Sequence, residues 1–405
     1  MHMITLTEQQ FNNYSKLHSK RNYKQTVEYA NLMSKYGYTK LYLGLIDNFN
    51  NVIGATLILE KRIKGKFKIG YAPNGFLIDF NDQALLNNFT INLKEYLTKL
   101  NFIYLRISPN FAYKVFDKNN IAVKNYSSIL ENMKKIGYIH LGVENSFRKY
   151  GALLNTDGNI EKTYNKLNRN MKRKIKDSKS MALTCYKENN IDNFYKLVMK
   201  KNIKDIDYYR NLNKFFNTND CKLEIFFSKI NPEKYLNNCR NILEKEKDRN
   251  YYLQEQIKDL NVKKTKKLLN NKITSDKLIN KYQNQVIKAS NLYSKYPSEI
   301  ITATCAVIRT NNTIYFIEDG YEEKLRNIYS LSILKWEIIK GYMKKGYKNF
   351  NLGNIPMLKD NKDDYYYGLY FSTSSFNPNI LEYCGEFDLV MNKYIYSLLK
   401  NLHQN

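Results

Sequence analysis

Two stretches of this chain concentrate side chains that could do chemistry. In and just before Asn165-Lys-Leu-Asn-Arg-Asn-Met-Lys-Arg-Lys-Ile-Lys-Asp-Ser-Lys179, eight Lys and Arg residues fall between Lys162 and Lys179. Leu167, Met171 and Ile175 recur at i, i+4 and i+8, which marks one buried helix face and leaves the cations on the other. A basic face of this kind can grip the phosphates of a nucleic acid or a lipid surface. A solvated helix face accounts for the same pattern equally well. The second stretch runs from Tyr365-Tyr-Tyr-Gly-Leu-Tyr-Phe371 through a hydroxyl-rich turn at 372–376 to Glu382-Tyr-Cys-Gly-Glu-Phe-Asp-Leu-Val-Met-Asn392. Tyrosines, hydroxyls and three acids would suit a substrate channel, although aromatic strand residues more often belong to a core.

Familiar catalytic patterns are missing. The sequence holds no P-loop, GxGxxG, GxSxG or HExxH. His2, His18, His140 and His403 stand in no catalytic spacing, so nucleotide hydrolysis, zinc proteolysis and serine hydrolysis drop out. Five cysteines lie far apart with no CxxC and no neighbouring histidine, which argues against a disulfide framework or a metal site and for a reducing compartment. The net charge of +27 biases partners toward phosphates or anionic membrane surfaces. The first residues, MHMITLTEQQFNN, carry no apolar signal region. Apolar runs such as 52–59 are strand-sized, too short for a bilayer. The expected location is the cytoplasm.

The elements that must position these groups follow from periodicity. At 405 residues, 43% hydrophobic, the chain can build two or three cores. Helix is expected over 7–36, a hairpin from the apolar runs 41–46 and 52–59, a loop at 70–75, a helix over 82–99 and a strand at 102–107. The same grammar returns later: helices over 160–179 and 190–201, a strand at 222–227, a hairpin of 302–308 with 313–317, a helix over 327–344 and a strand at 348–352. Two copies of one α/β plan fit the length. Between the strand at 222–227 and the hairpin of 302–308 with 313–317, residues 233–296 have apolar residues at helical spacing (Leu236, Leu243, Leu253, Ile257, Leu260; then Leu278, Tyr282, Val286, Ala289, Tyr293) around a polar break at Asn270-Asn271-Lys272. Two helices joined there would make an antiparallel coiled-coil arm. Its fifteen basic against seven acidic residues suit an RNA-binding surface or a plain structural prop.

Several short stretches fit a larger pattern: Tyr71-Ala-Pro-Asn-Gly75, Leu105-Arg-Ile-Ser-Pro-Asn110, Tyr208-Tyr-Arg-Asn-Leu212, Gly346-Tyr-Lys348 with Asn351-Leu-Gly353, Tyr367-Gly-Leu-Tyr370, and 382–392. Each is weak alone. Recurring in order over nearly the whole chain, they make it resemble the Fem family of aminoacyltransferases, which attach amino acids from aminoacyl-tRNA to peptidoglycan precursors. The resemblance implies an α/β (α+β) fold of two GNAT-like (acyl-CoA N-acyltransferase-type) domains. The first would be 1–145, with 378–405 returning to it, and the second 146–377, with the arm 233–296 inserted. It implies transfer onto the stem-peptide amine of lipid II or a UDP-linked muropeptide, building interpeptide bridges. No cofactor is implied beyond aminoacyl-tRNA as co-substrate. The implied partners are charged tRNA, the precursor and, peripherally, the inner membrane leaflet. An ester donor is already activated, so the protein need only juxtapose amine and carbonyl and stabilise developing negative charge. No RxxGxG loop for a CoA pyrophosphate is present.

Site residues carry over one by one from that resemblance. Lys204 falls where the family has a phosphate-contacting arginine, keeping charge without the bidentate fork, and Tyr208 keeps the family tyrosine. The family's first-helix lysine aligns with Met33, leaving Lys35 as the nearest substitute. Arg106 is retained, while Ser108 replaces an aspartate. Tyr367 and Tyr370 would line the substrate channel. The basic turn that follows becomes Ser372-Thr-Ser-Ser-Phe376, so Thr373 and Ser374 stand where a lysine is expected beside the reacting ester. Lys172, Arg173 and Lys174, with Lys263, Lys264, Lys266 and Lys267 on the arm, would contact tRNA. The missing turn lysine motivates a competing expectation, a non-catalytic relative that binds RNA or precursor. A bridge-altering immunity or resistance factor would share the first mechanism.

Overall fold

The computed structural model describes residues 1–404 except 64, 118–120, 143–148, 200–203, 260–265 and 356–364, and only the backbone of 365–369 and 402–404. Two mixed sheets organise it. The first runs β1 (His2–Thr5), β2 (Thr39–Ile46), β3 (Val52–Arg62), β4 (Lys68–Pro73), β5 (Phe102–Ser108), β16 (Glu386–Val390) and β8 (Tyr138–Gly142). The second runs β10 (Leu183–Lys187), β11 (Lys222–Ile230), β12 (Ile300–Arg309), β13 (Thr313–Tyr321), β14 (Asn349–Ile355), β9 (Tyr150–Asn155), β15 (Asn379–Tyr383), β6 (Ala112–Phe116) and β7 (Ala122–Asn125). Both follow one plan. Four antiparallel strands lead to a parallel step over a helix, from β4 to β5 over α3 (Gln83–Lys99) and from β13 to β14 over α11 (Ser330–Met343). A strand from elsewhere in the chain then intervenes, β16 in one sheet and β9 in the other, before the next antiparallel strand. The duplication is thus one of topology.

The central strands are apolar without alternation because both of their faces are covered. On β3, Ile58 faces α3 (Phe89, Leu93, Leu97) and α4 (Ser127–Lys135), while Ala55, Leu57 and Leu59 face α1 (Glu8–Leu17) and α2 (Val27–Ser34). α13 (Lys393–Gln404) covers β5 and β16 through Tyr396 against Ile103 and Val390. In the second sheet α6 (Arg169–Ser178), α11 and α12 (Tyr365–Ser374) cover one face; α7 (Ile191–Val198) and α8 (Ile206–Phe215) cover the other. α2 is shared between the sheets. Val27 and Ala30 pack on the first, and Leu32 joins Phe216 and Phe227 under the second. Polar contacts pin this seam: Lys16 to Asp220 at 2.5 Å, the Thr218 hydroxyl to Glu28 at 2.6 Å and the Tyr315 hydroxyl to the Arg21 carbonyl at 3.0 Å.

Several expected boundaries shift. The helix expected over 7–36 is two helices, because 18–26 folds as a plug between the sheets. Its buried Gln25 accepts from Leu57 N (2.8 Å) and donates to Pro73 O (2.8 Å), and Thr26 caps α2. The run 160–179 splits into α5 (Ile160–Lys166) and α6, because the Asn168 side chain accepts from Met171 N at 2.8 Å and starts a new helix. The 70–75 loop is mostly strand β4, drawn into parallel pairing with β5. The tyrosine run and the first three residues of the hydroxyl-rich turn near the C-terminus lie in helix α12, which ends at Ser374.

Within 233–296, α9 (Pro232–Lys258) starts with proline in its first turn behind an Asn231 cap, and α10 spans Lys266–Lys295. The expected break at 270–272 is therefore interior to α10, where an exposed Lys272–Asp276 pair at 2.7 Å supports the helix; α9 ends at Lys258. The helices pack antiparallel. Leu236 and Cys239 near the start of α9 meet Val286, Ala289 and Tyr293 near the end of α10, and Ser275 donates to Glu246 at 2.6 Å in between. Among the described residues no helix is long and apolar enough to cross a membrane.

Candidate functional site

One place in the two-sheet plan breaks its own symmetry. In the first sheet the parallel pair β4–β5 stays laddered from Lys68↔Phe102 to Pro73↔Ser108. In the second, β13 and β14 pair only as Thr313↔Asn349, Ile314↔Phe350 and Tyr315↔Asn351, then part. Beyond that point β12–β13 shifts register between Ala306 and Val307, and β14 loses register with β9 between Asn351 and Asn354. Gly353 takes φ +91°, a conformation that favours glycine, and its N–H donates to Asn351 Oδ1 at 3.0 Å. The facing edges of β13 and β14 are thus left open in mid-sheet.

Polar side chains gather at this opening. Tyr383 reaches over β9, where Gly151 leaves room for its ring; a Cβ at 151 would collide with the phenol. The Tyr383 hydroxyl bonds the Asn351 side chain, and burial keeps it protonated by raising its pKa. On β13, Asp319 holds the buried Lys335 ammonium at 2.6 Å, and Glu318 accepts from the Tyr209 hydroxyl at 3.2 Å. Burial alone would lower Lys335; Asp319, with Cys305 and Glu318 nearby, more than offsets it and its pKa rises. Asn351 and Tyr383 fall in stretches that carry the resemblance, whereas Gly151, Tyr209, Glu318, Asp319 and Lys335 were not given a site role from sequence. Adjacent acids inside an apolar strand were the available signal.

The residues carried over by resemblance fall into separate groups. At the seam, Lys204 lies 4.0 Å from the Tyr208 ring centroid, and that ring meets Tyr36 at 5.9 Å. Exposed Lys35 ends α2 beside Tyr36, so these four residues form one neighbourhood. Ser108 sits at the end of β5, its hydroxyl 3.2 Å from Tyr71 Oη and accepting from Asn74 N at 3.1 Å. Arg106, in the same strand, is engaged elsewhere: Nε and Nη2 donate to Asp388 at 2.9 and 3.0 Å. Asp388 is fully buried and also accepts from the Tyr396 hydroxyl at 2.8 Å.

Thr373 and Ser374 close α12 rather than line a turn. Thr373 is buried, and Ser374 donates to the Tyr370 carbonyl of its own helix. Tyr370 packs against the second sheet's core, and the Tyr367 side chain lies outside the described residues. The basic run divides. Lys172 donates to Asn165 O at 2.7 Å and Arg173 to Asn170 at 2.9 Å, whereas Lys174 turns inward to Ser332 at 3.3 Å, its pKa lowered by burial and by Arg173. Lys266 and Lys267 are exposed at the start of α10; Lys263 and Lys264 lie outside the described residues.

No nucleophile of the usual kind is poised among the described residues. Burial raises every cysteine, Cys185 to about 11 and Cys384 to about 12, so all five are thiols at neutral pH. His140 bonds the Cys384 carbonyl at 2.6 Å and stacks on Phe387; His18 accepts from Lys20 N. No group of three His, Cys, Asp or Glu among the described residues is spaced to hold a metal ion.

Comparison with known proteins places this geometry. The FemAB family model matches residues 6–404. Among curated relatives, aminoacyltransferase FemA of Staphylococcus epidermidis is 23% identical over 424 residues, covering 99% of both chains. The same-named protein of Staphylococcus aureus is 23% identical, covering 98% of this chain and 97% of its own. The crystal structure of FemX superposes with a TM-score of 0.75 at 18% identity, covering 99% of this chain and all of the other. With a family match that runs almost from end to end, the chain belongs to the FemAB family.

Proposed function

We propose that the protein is an aminoacyltransferase that moves an amino acid from a charged tRNA to the stem-peptide amine of a peptidoglycan precursor, either lipid II or a UDP-linked muropeptide. The observation that carries the reading is the parting of β13 and β14 after three residue pairs. Strand edges released in mid-sheet present amides and carbonyls that can align an extended acyl-ester end, which a closed ladder cannot do. The neutral Tyr383 phenol, beside Asn351 at that opening, is a donor suited to an oxyanion. The names of the full-length relatives support the same chemistry.

In this reading Lys204, Tyr208 and Lys35 hold precursor phosphates at the seam, and the α9–α10 hairpin serves as a coiled-coil arm for tRNA together with Lys172 and Arg173. The reaction takes place in the cytoplasm, at the membrane surface when the acceptor is lipid-linked. A single-turnover assay with individually charged, radiolabelled tRNAs and both acceptor forms tests it. Label on the muropeptide is expected; absence of transfer with every charged tRNA and both acceptors refutes it. A second reading, a non-catalytic binder of RNA or precursor, is favoured by one observation: the Thr373 and Ser374 side chains are buried or turned into their own helix, in a stretch, Ser372-Thr-Ser-Ser-Phe376, that carries no cation of its own.

A further inference from the structure

A cavity of about 270 Å³ is lined by the edge strand β10, by Phe226 of β11 and by α11 with the residues that follow it. Phe226, Leu334, Ile338 and Tyr342 form its apolar wall. The Phe226 and Tyr342 rings meet edge to face at 6.1 Å, so part of this wall is aromatic. Its polar floor is already satisfied: Glu224 accepts from the Tyr342 hydroxyl and pairs with Lys187 at 3.2 Å. At the rim Glu337 is taken by Lys340 at 2.7 Å. Lys345, whose ammonium sits 5.2 Å from the Tyr342 ring centroid, is the rim cation with no carboxylate in ion-pair range among the described residues.

Gly341 points to an occupant. It stands in the last turn of α11, where glycine still favours helix less than any residue but proline. A Cβ built on it meets nothing within 4 Å, and its φ is ordinary, so neither packing nor backbone geometry in the fold requires a glycine. Its missing side chain opens the cavity mouth instead. The volume falls just below that of drug-sized sites, so the occupant is small.

We propose that this cavity binds a small monoanion with an apolar, ring-sized body, an aryl carboxylate, its ring over Gly341 against Phe226 and Tyr342 and its carboxylate paired with Lys345. The carboxylate belongs to a free small molecule or to the C-terminus of a chain ending in an aromatic residue. The site is separate from the β13–β14 opening and stands whether or not the protein transfers amino acids.

The test is isothermal titration of the full-length protein with 3-phenylpropionate and 3-phenylpropionamide, and with N-acetyl-Gly-Phe and its C-terminal amide. Quenching of Trp336, the one tryptophan of the chain, provides a second signal on the same helix. Saturable binding of the free acid, or of the peptide acid, with a dissociation constant below roughly 1 mM is expected. The acid should bind roughly tenfold tighter than its amide. Gly341→Leu, whose Cβ has open space and which favours helix, should abolish binding while the thermal midpoint holds or rises. Lys345→Met should erase the preference for acid over amide. Absence of saturable binding to the native protein by about 10 mM overturns the proposal, as does undiminished affinity in Gly341→Leu or an intact acid preference in Lys345→Met.

Discussion

Replacing Arg106 with Met should unbalance an ion pair whose carboxylate, Asp388, is fully buried. Asp388 is fully enclosed and accepts three hydrogen bonds, two from Arg106 and one from Tyr396. Removing the guanidinium leaves a buried carboxylate with a single phenol donor. Breaking one side of such a pair costs about 3–5 kcal/mol when both partners are buried. The Arg106 side chain is 33% exposed, so solvent reaches its end of the pair and the expected loss is nearer 2–3 kcal/mol. Urea unfolding followed by far-UV circular dichroism should show the midpoint falling by roughly 1 M, taking the slope at the upper end of the usual 1–3 kcal/mol/M. Arg106→Met with Asp388→Leu should recover most of the loss, because the orphaned charge goes with its partner. Precursor affinity of the folded Arg106→Met protein should stay at the native value, since the guanidinium is spent on Asp388. A midpoint unchanged within about 0.2 M, or a precursor affinity reduced tenfold or more, would refute the assignment of Arg106 to structure.

Gly151→Ala should cost about 1–3 kcal/mol, because its Cβ meets the Tyr383 ring, and Tyr383→Ala in the same chain should relieve most of that cost; differential scanning calorimetry checks both. Asp79 accepts from the Asn81 backbone N–H at 3.0 Å and its amide at 2.9 Å, which holds its carboxyl below the ordinary 3.8. A depressed folded value contributes stability that is complete above 3.8 and lost as pH falls through the folded value, so Asp79→Ala should flatten the acid limb of a stability–pH curve below that point while removing a fixed amount at neutral pH. Ser374→Ala should leave transfer and stability within about 1 kcal/mol of native, because the lost hydroxyl bonds only its own helix. Lys204→Ala should weaken precursor binding measurably by titration with the UDP-linked form; an unchanged dissociation constant counts against its phosphate role.

Local pattern carried the elements well where one physical rule dominated. The hairpin of β12 and β13, the helices α3 and α11 and the strand β14 all follow from apolar spacing and turn residues, because burial of one stripe or one face decides each of them. Errors came where tertiary contact overrode periodicity. Residues 18–26 look helical, yet Gln25 is worth more bonding Leu57 and Pro73 across a seam than continuing a helix, since its buried amide would otherwise be unsatisfied. The tyrosine-rich C-terminal run reads as strand by propensity and folds as α12, where context outweighs a weak preference.

The site divides the same way. Sequence alone determined the charge balance and, through short ordered stretches, the family. The resemblance pointed to Lys204 and Tyr208, four residues apart, and the fold sets the Lys204 ammonium 4.0 Å from the Tyr208 ring centroid. Only tertiary structure decided that Arg106 is spent on Asp388, 282 positions away, and that Thr373 and Ser374 serve their own helix. The opening between β13 and β14, and the meeting of Asn351, Gly151 and Tyr383 around it, depend on three strands drawn from distant parts of the chain. Side-chain type records what a residue can do; which partner it does it with is set by long-range pairing, and no periodicity in the sequence encodes that.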